Sequence, residues 1–209
     1  MRLRHVKDAF EICASNKDIC IENPTDYKGK WREFLENADS LSLEVGCGKG
    51  QFLVSLSKEN EHSLFLGLEL MTSVICRAVQ KVKEENIKNV LLINKDAVLL
   101  NELFDENEVD KIYINFPDPW PKARHDKRRL TYSKYLEMYK RILKKDGVIR
   151  FKTDNFDLYE FSKESFSNFL KDDFKCGIVE YMGDEILTEF ETKFKALGNP
   201  IYFIEGTFK

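Results

Sequence analysis

Proline and glycine are scarce in this chain, five and ten among 209 residues. That is too few for a Pro- or Gly-rich linker between domains, and the sequence carries no internal repeat and no low-complexity tract. The five cysteines (Cys13, Cys20, Cys47, Cys76, Cys176) are odd in number and form no C-x-x-C pair, which argues against a disulfide framework and suits free thiols in a reducing compartment. Only three histidines occur, His5, His62 and His125, without H-E-x-x-H spacing, so no metal site is expected. No apolar run approaches the roughly 20 residues of a membrane-spanning helix. The basic start MRLRHVKDAF lacks the apolar segment of a secretory signal. The expectation is a cytoplasmic protein with no membrane partner.

What is present is ordinary globular material, 43% hydrophobic and 33% charged, enough for one domain with a sizeable core. After a polar segment over residues 1–40, an N-terminal arm that is a candidate RNA contact, residues 41–209 alternate between two periodicities. Strand-like runs fall at 41–45, 63–70, 89–94, 109–116 and 147–153, and two late ones lie in FKCGIVEYM and PIYFIEGTF. Helical spacing fills the intervals: 50–60; the apolar series Met71, Val74, Ile75, Ala78, Val79, Val82; the series Tyr132 to Leu143 with Gly147 as its stop; a helix capped by Asp154 or Asn155; and a segment near 188–197. Strands alternating with helices imply βαβ units, a mostly parallel seven-stranded sheet, and a ligand crevice beyond the carboxyl ends of the strands.

The candidate chemistry sits at those strand ends. LEVGCGKG places Glu44 before Gly46-x-Gly48-x-Gly50, a turn that lets the backbone approach a ligand closely. A dinucleotide fingerprint needs its third small residue one position later, where Gln51 stands. An acid beside the loop also suits the ammonium and sulfonium of S-adenosylmethionine (SAM) better than a pyrophosphate. Glu69 closes the second run, placed for ribose hydroxyls, and Asp96 follows the third, placed for an adenine amino group. Singly, each acid reads as an exposed residue or a helix cap; three at consecutive strand ends favour a ligand site. After the fourth run comes NFPDPWPKARHDKRR, in which Pro117 and Pro119 restrict Asp118 and push their preceding residues toward extended geometry. Trp120 offers a flat face, and Lys122, Arg124, Lys127, Arg128 and Arg129 oppose a single acid, Asp126, in a chain of net charge −3. A basic patch against an acidic background points to an anionic partner.

In FPDPWPK, KRRLT, FKTDN and TEFE, in that order, and from NPTDYKGKW (23–31) to TEFETKFKALGNPIY (188–202), the chain resembles the bacterial tRNA (guanine-N7)-methyltransferases. The segment RHVKDAFEICASN lacks the R-x-x-P-W-A-like element common among them. The resemblance implies an α/β, Rossmann-like class I SAM-dependent methyltransferase fold, and transfer of the SAM methyl group to N7 of a guanosine in the variable loop of tRNA. It implies SAM contacts from Glu44, Gly46, Gly48, Gly50, Glu69, Asp96 and Asp118, with Asp118 also catalytic. It implies tRNA contacts from Lys122, Asp154 and the segment Thr188, Glu189, Phe190, Glu191, with Asp154 and Glu191 suited to the guanine N1–H and N2–H. Residues 124–129 (Arg124, Lys127, Arg128 and Arg129 among them) would meet the RNA backbone, and the state would be monomer or homodimer. Three other classes compete: a SAM enzyme for an amino nitrogen or small molecule, which leaves the basic run unexplained; an RNA-binding module, which has no use for the three acids; and an NAD-dependent oxidoreductase, which Gln51 disfavours. Retained SAM and salt-sensitive tRNA binding separate these classes.

Overall fold

The structure is a computed structural model that describes residues 6–36, 38–181 and 186–209. Seven strands form one sheet: β1 (Ser40–Val45), β2 (Ser63–Leu68), β3 (Val90–Ile93), β4 (Val109–Asn115), β5 (Leu143–Thr153), β6 (Lys175–Ile178) and β7 (Tyr202–Gly206). Their order is β3-β2-β1-β4-β5-β7-β6. β1 to β5 pair in parallel, and β7 runs antiparallel to both β5 and β6. The chain reverses its winding between β1 and β4, the topological switch point at which such sheets open a crevice.

The helices are α1 (Ala9–Ala14), α2 (Gln51–Glu59), α3 (Thr72–Glu84), α4 (Leu100–Leu103), α5 (Ser133–Ile142), α6 (Phe156–Ser167) and α7 (Glu189–Ala196). Alternation along the central strands sends side chains to two separate cores. Leu64, Leu66 and Leu68 of β2 join the larger core with Leu136, Tyr139 and Ile142 of α5 and Leu158 and Phe166 of α6. Phe65 faces the other way, toward Leu53 and Val54 of α2 and Ile75, Ala78, Val79 and Val82 of α3. Helices therefore cover both faces, as the alternating pattern predicts.

Much of the segment expected as an arm is built into this body. Ile21 N–H donates to Leu92 O at 2.9 Å and Leu92 N–H to Ile19 O at 2.7 Å, so residues 19–21 add to the free edge of β3. Trp31 is fully buried against Phe104, and its indole N–H donates to Leu103 O at 2.9 Å. Residues 1–5 and 37 of that segment lie outside the described residues.

Two local expectations are corrected. α5 ends at Ile142, not at Gly147; the chain passes directly into β5, whose register against β4 jumps between Val109 and Lys111. Gly147 serves close packing, since a Cβ there would lie 2.6 Å from Leu143 and 2.9 Å from Asp110 O. Of the two candidate caps of α6, Asn155 is the one used, accepting from Leu158 N–H at 2.8 Å.

Candidate functional site

The glycine turn leaves β1 in left-handed backbone at Gly46, Gly48 and Gly50, with φ of 79°, 57° and 74°. Gly50 is also a contact point: a Cβ would stand 2.9 Å from that of Ala78, so any larger residue would pry α2 from α3. Gly48 N–H and Met71 N–H both donate to the Glu69 carboxylate, at 3.1 and 2.9 Å, which locks the end of β2 to the turn. Glu69 is held above the usual carboxylate range, first by burial; those backbone donors oppose the shift and the charge of Asp118 adds to it.

Glu44 is almost completely buried at the switch point. Its Oε1 accepts from Asn115 Nδ2 at 2.8 Å, while the buried Oε2 has no partner. Burial pushes its pKa up to about 8, partly offset by the Asn115 bond and reinforced by Glu69 and Glu191. An orphaned carboxylate oxygen beside an open glycine turn needs a donor or a cation from outside the chain. The structure thus brings Glu69 within electrostatic reach of Glu44 on one side and Asp118 on the other. Asp96 stands beyond β3, where its side chain accepts from Val98 N–H at 3.0 Å. Among the described residues, no group of three or more His, Cys, Asp and Glu is placed to hold a metal.

The proline loop departs from expectation. Phe116 and Trp120, each followed by a proline, adopt left-handed backbone (φ 50° and 43°) instead of the extended geometry that prolines favour before them. Such conformations cost about 1–3 kcal/mol apiece and persist only where the surroundings enforce them. Phe116 N–H donates to Lys152 O at 2.8 Å, and its ring stacks on Phe190 at 5.6 Å. Trp120 lies beneath Arg128, whose guanidinium carbon is 4.9 Å from the ring centroid, and meets the edge of His125.

The basic run divides. Lys122, Arg124, Lys127 and Arg128 are exposed on and beside a 3-10 turn over Ala123–Arg128. Arg129, expected on RNA, is turned into the protein and is only 8% exposed. Its guanidinium donates to Pro119 O and Trp120 O, pairs with Asp126 at 3.0 Å and covers the Phe161 ring.

The TEFE segment is corrected likewise. Thr188 and Glu191 form a capping box at the start of α7: Thr188 Oγ1 accepts from Glu191 N–H, and Glu191 Oε2 accepts from Thr188 N–H, both at 3.0 Å. Glu191 Oε1 is paired with Lys152 on β5. Buried and engaged through both oxygens, Glu191 secures α7 and does not present a carboxylate to a base edge. Asp154, by contrast, is exposed just past β5. Glu189 reaches Lys49 of the glycine turn at 3.3 Å and Lys81 of α3 at 3.8 Å. Phe190 is half exposed. The first turn of α7 is therefore tied to the glycine turn, to Phe116 and to β5 through three successive residues.

Asn115 and Lys152 carry weight that residue-by-residue reading of the sequence missed. Asn115 closes β4 and Lys152 stands one residue before the end of β5, and position at a carboxyl strand end was the available signal.

Against known proteins, a family described as "Putative methyltransferase" matches residues 38–204. The tRNA (guanine-N(7)-)-methyltransferase of Bacillus subtilis (strain 168) is 47% identical over 98% of this chain and 98% of its own. That of Lactococcus lactis subsp. cremoris (strain MG1363) is 39% identical over 100% and 98%. The chain belongs to the tRNA (guanine-N7)-methyltransferase family. Among solved structures, an antibiotic-related methyltransferase superposes with a TM-score of 0.64 at 20% identity, over 86% of this chain and 92% of that one. A tRNA (m1A58) methyltransferase from Aquifex aeolicus gives 0.57 at 17% identity, over 100% and 71%. These similarities show the methyltransferase fold, Rossmann-like with helices on both faces.

Proposed function

We propose that this family member transfers the methyl group of SAM to N7 of a guanosine in the variable loop of tRNA, in the cytoplasm. The observation that supports it best is the buried, unpartnered Oε2 of Glu44 beside the glycine turn, joined to full-length identity with relatives that carry this activity in their names. The donor set fits SAM: Glu44 supplies an unsatisfied acceptor for an ammonium, Glu69 an acid for ribose hydroxyls, and Asp96 an acceptor at the adenine end. SAM brings an electrophilic methyl whose bond to sulfur breaks with its electron pair leaving on sulfur.

The chain's own residues then have a limited task. Guanine N7 offers an in-plane lone pair and carries no proton, so alignment matters more than a general base. The new C–N bond leaves the purine ring positive, and Asp118 at the end of β4 is the carboxylate that offsets this charge. Asp154, exposed beyond β5, is the acceptor for the guanine N1–H and N2–H. With Glu191 engaged by Thr188 and Lys152, and Glu189 paired with Lys49 and Lys81, that edge falls to Asp154. Lys122, Arg124, Lys127 and Arg128 face phosphates. An exposed acid at Asp118 followed within a few residues by four exposed cations suits a base embedded in RNA better than a small molecule.

Incubation of unmodified tRNA with enzyme and SAM, followed by borohydride and aniline, tests this. One break, in the variable loop, is expected, because that treatment cleaves at N7-methylguanosine. Cleavage elsewhere, or methyl incorporation without cleavage, rejects the assignment.

A further inference from the structure

The basic run reads as a uniform RNA-facing patch, yet its last member is buried. Residues 117–121 include Pro117, Pro119 and Pro121, none of which has an N–H to give. This loop therefore cannot be fastened through main-chain donors of its own at three of five positions; it must be held by its carbonyls. Arg129 does so, with Nε 3.0 Å from Pro119 O and Nη2 3.1 Å from Trp120 O. The guanidinium is aimed by Asp126 at 3.0 Å on one side and by the Phe161 ring of α6, 4.2 Å away, on another. A planar fork spanning two consecutive carbonyls is a geometry that arginine supplies and lysine does not. Left-handed, non-glycine backbone occurs at Phe116, just before this loop, and at Trp120 within it, a conformation that needs enforcement.

We propose that Arg129 is a positioning residue for methyl transfer: its guanidinium clamps the carbonyls of Pro119 and Trp120 and thereby fixes the main chain that carries Asp118. This rests on the reading that Asp118 faces the reacting atoms. Arg129 touches neither RNA nor cofactor; its four exposed neighbours carry the phosphate contacts.

The two roles give opposite kinetic signatures. With Arg129→Ala, the single-turnover rate at saturating SAM and tRNA should fall on the order of 100-fold, the scale of a misplacement of about 1 Å. Its tRNA Kd and the salt dependence of binding should stay within twofold of the parent. Arg129→Lys should rescue little, staying within about threefold of Arg129→Ala, because one ammonium cannot span both carbonyls. Asp126→Asn keeps Arg129 but removes the group that aims it. This variant should slow transfer several-fold while binding tRNA as tightly or more tightly, since it deletes the only acid in the run. A phosphate role predicts the reverse: weaker binding in Arg129→Ala, a log–log salt slope smaller by about 0.7–0.9, near-normal behaviour of Arg129→Lys, and an unchanged saturated rate. That pattern overturns the proposal. If the Arg129 variants fail to fold, Asp126→Asn decides, and an unchanged rate refutes the clamp. Borohydride–aniline mapping of the wild-type product on the same tRNA keeps the two readings apart. Loss of the variable-loop break rejects the N7 assignment whatever Arg129 does.

Discussion

If Glu44 holds the SAM ammonium as proposed, cofactor binding is coupled to protons. The Glu44 carboxyl is pushed up to about 8 by burial, with Glu69 and Glu191 adding to the rise and Asn115 opposing it. In the free protein near neutrality it is mostly protonated, whereas a bound ammonium requires the ionised form. Apparent affinity for SAM then scales with the ionised fraction, about one in a hundred at pH 6, one in eleven at pH 7 and one in two at pH 8. Affinity should therefore rise about 50-fold from pH 6 to 8 and level off near 8, where the ligand's own α-amino group begins to lose its proton. The sign for stability is opposite. A carboxyl whose folded pKa exceeds its unfolded value holds a proton that the unfolded chain has released, so the cofactor-free protein loses stability as pH climbs from about 4.5 to 8. Isothermal titration calorimetry at pH 7 in two buffers of different ionisation enthalpy should report release of about 0.9 proton per SAM bound. Glu44→Gln should bind more weakly at pH 8 and lose most of the pH slope. Affinity that is flat between pH 6 and 8 with no proton release, or a slope that survives in Glu44→Gln, refutes this reasoning.

Arg128, exposed and stacked over Trp120, should on replacement by alanine reduce the log–log salt slope of tRNA binding by about 0.7–0.9 and leave the SAM Kd unchanged. An unchanged slope in filter-binding titrations removes it from the phosphate contacts. Asp118→Asn preserves shape and drops the charge, so the saturated single-turnover rate should fall on the order of 10²-fold while tRNA binding holds. Trp31→Ala opens a large cavity beneath Phe104 and orphans Leu103 O. The expected loss is about 3–5 kcal/mol by urea unfolding, and a loss below about 1 kcal/mol would show that residues 23–36 contribute little to the fold.

The first half of the sheet was legible because β1, β2 and β3 are short apolar runs and the helices keep their apolar faces in register. β2 illustrates both, sending Leu64, Leu66 and Leu68 to one core and Phe65 to the other. Gly147 was misread because a glycine after lysines signals a helix stop, and only the packing against Leu143 and Asp110 reveals another use. In the site, strand-end acids were legible from position alone. The T-x-x-E spacing of TEFE is itself a capping-box signature, but the resemblance drew Thr188 and Glu191 toward the substrate. Arg129 was not legible at all. Five cations in eight residues look alike in one dimension, and only the turn over Ala123–Arg128 decides which of them points inward.

The direction in which Arg129 points bears on what limits the reaction. Methyl transfer from a sulfonium to guanine N7 moves one positive charge a short distance and creates none. The cluster of Glu44, Glu69 and Asp118 is attracted to that charge before transfer as well as after it, and uniform attraction lowers no barrier. An acid accelerates transfer only to the extent that it lies nearer the purine than the sulfur, so in the proposed role the charge of Asp118 is useful only where its placement is held. Small displacements of the loop therefore matter far more than small changes in the total charge of the pocket. A segment with three prolines, strained at Phe116 and Trp120 and gripped from outside by a buried guanidinium, is the kind of support such a demand calls for. The exposed cations next to it work at the other end of the problem. In the proposed reading they draw in the RNA backbone, so that the same short stretch of chain joins the electrostatics of binding to the geometry of transfer.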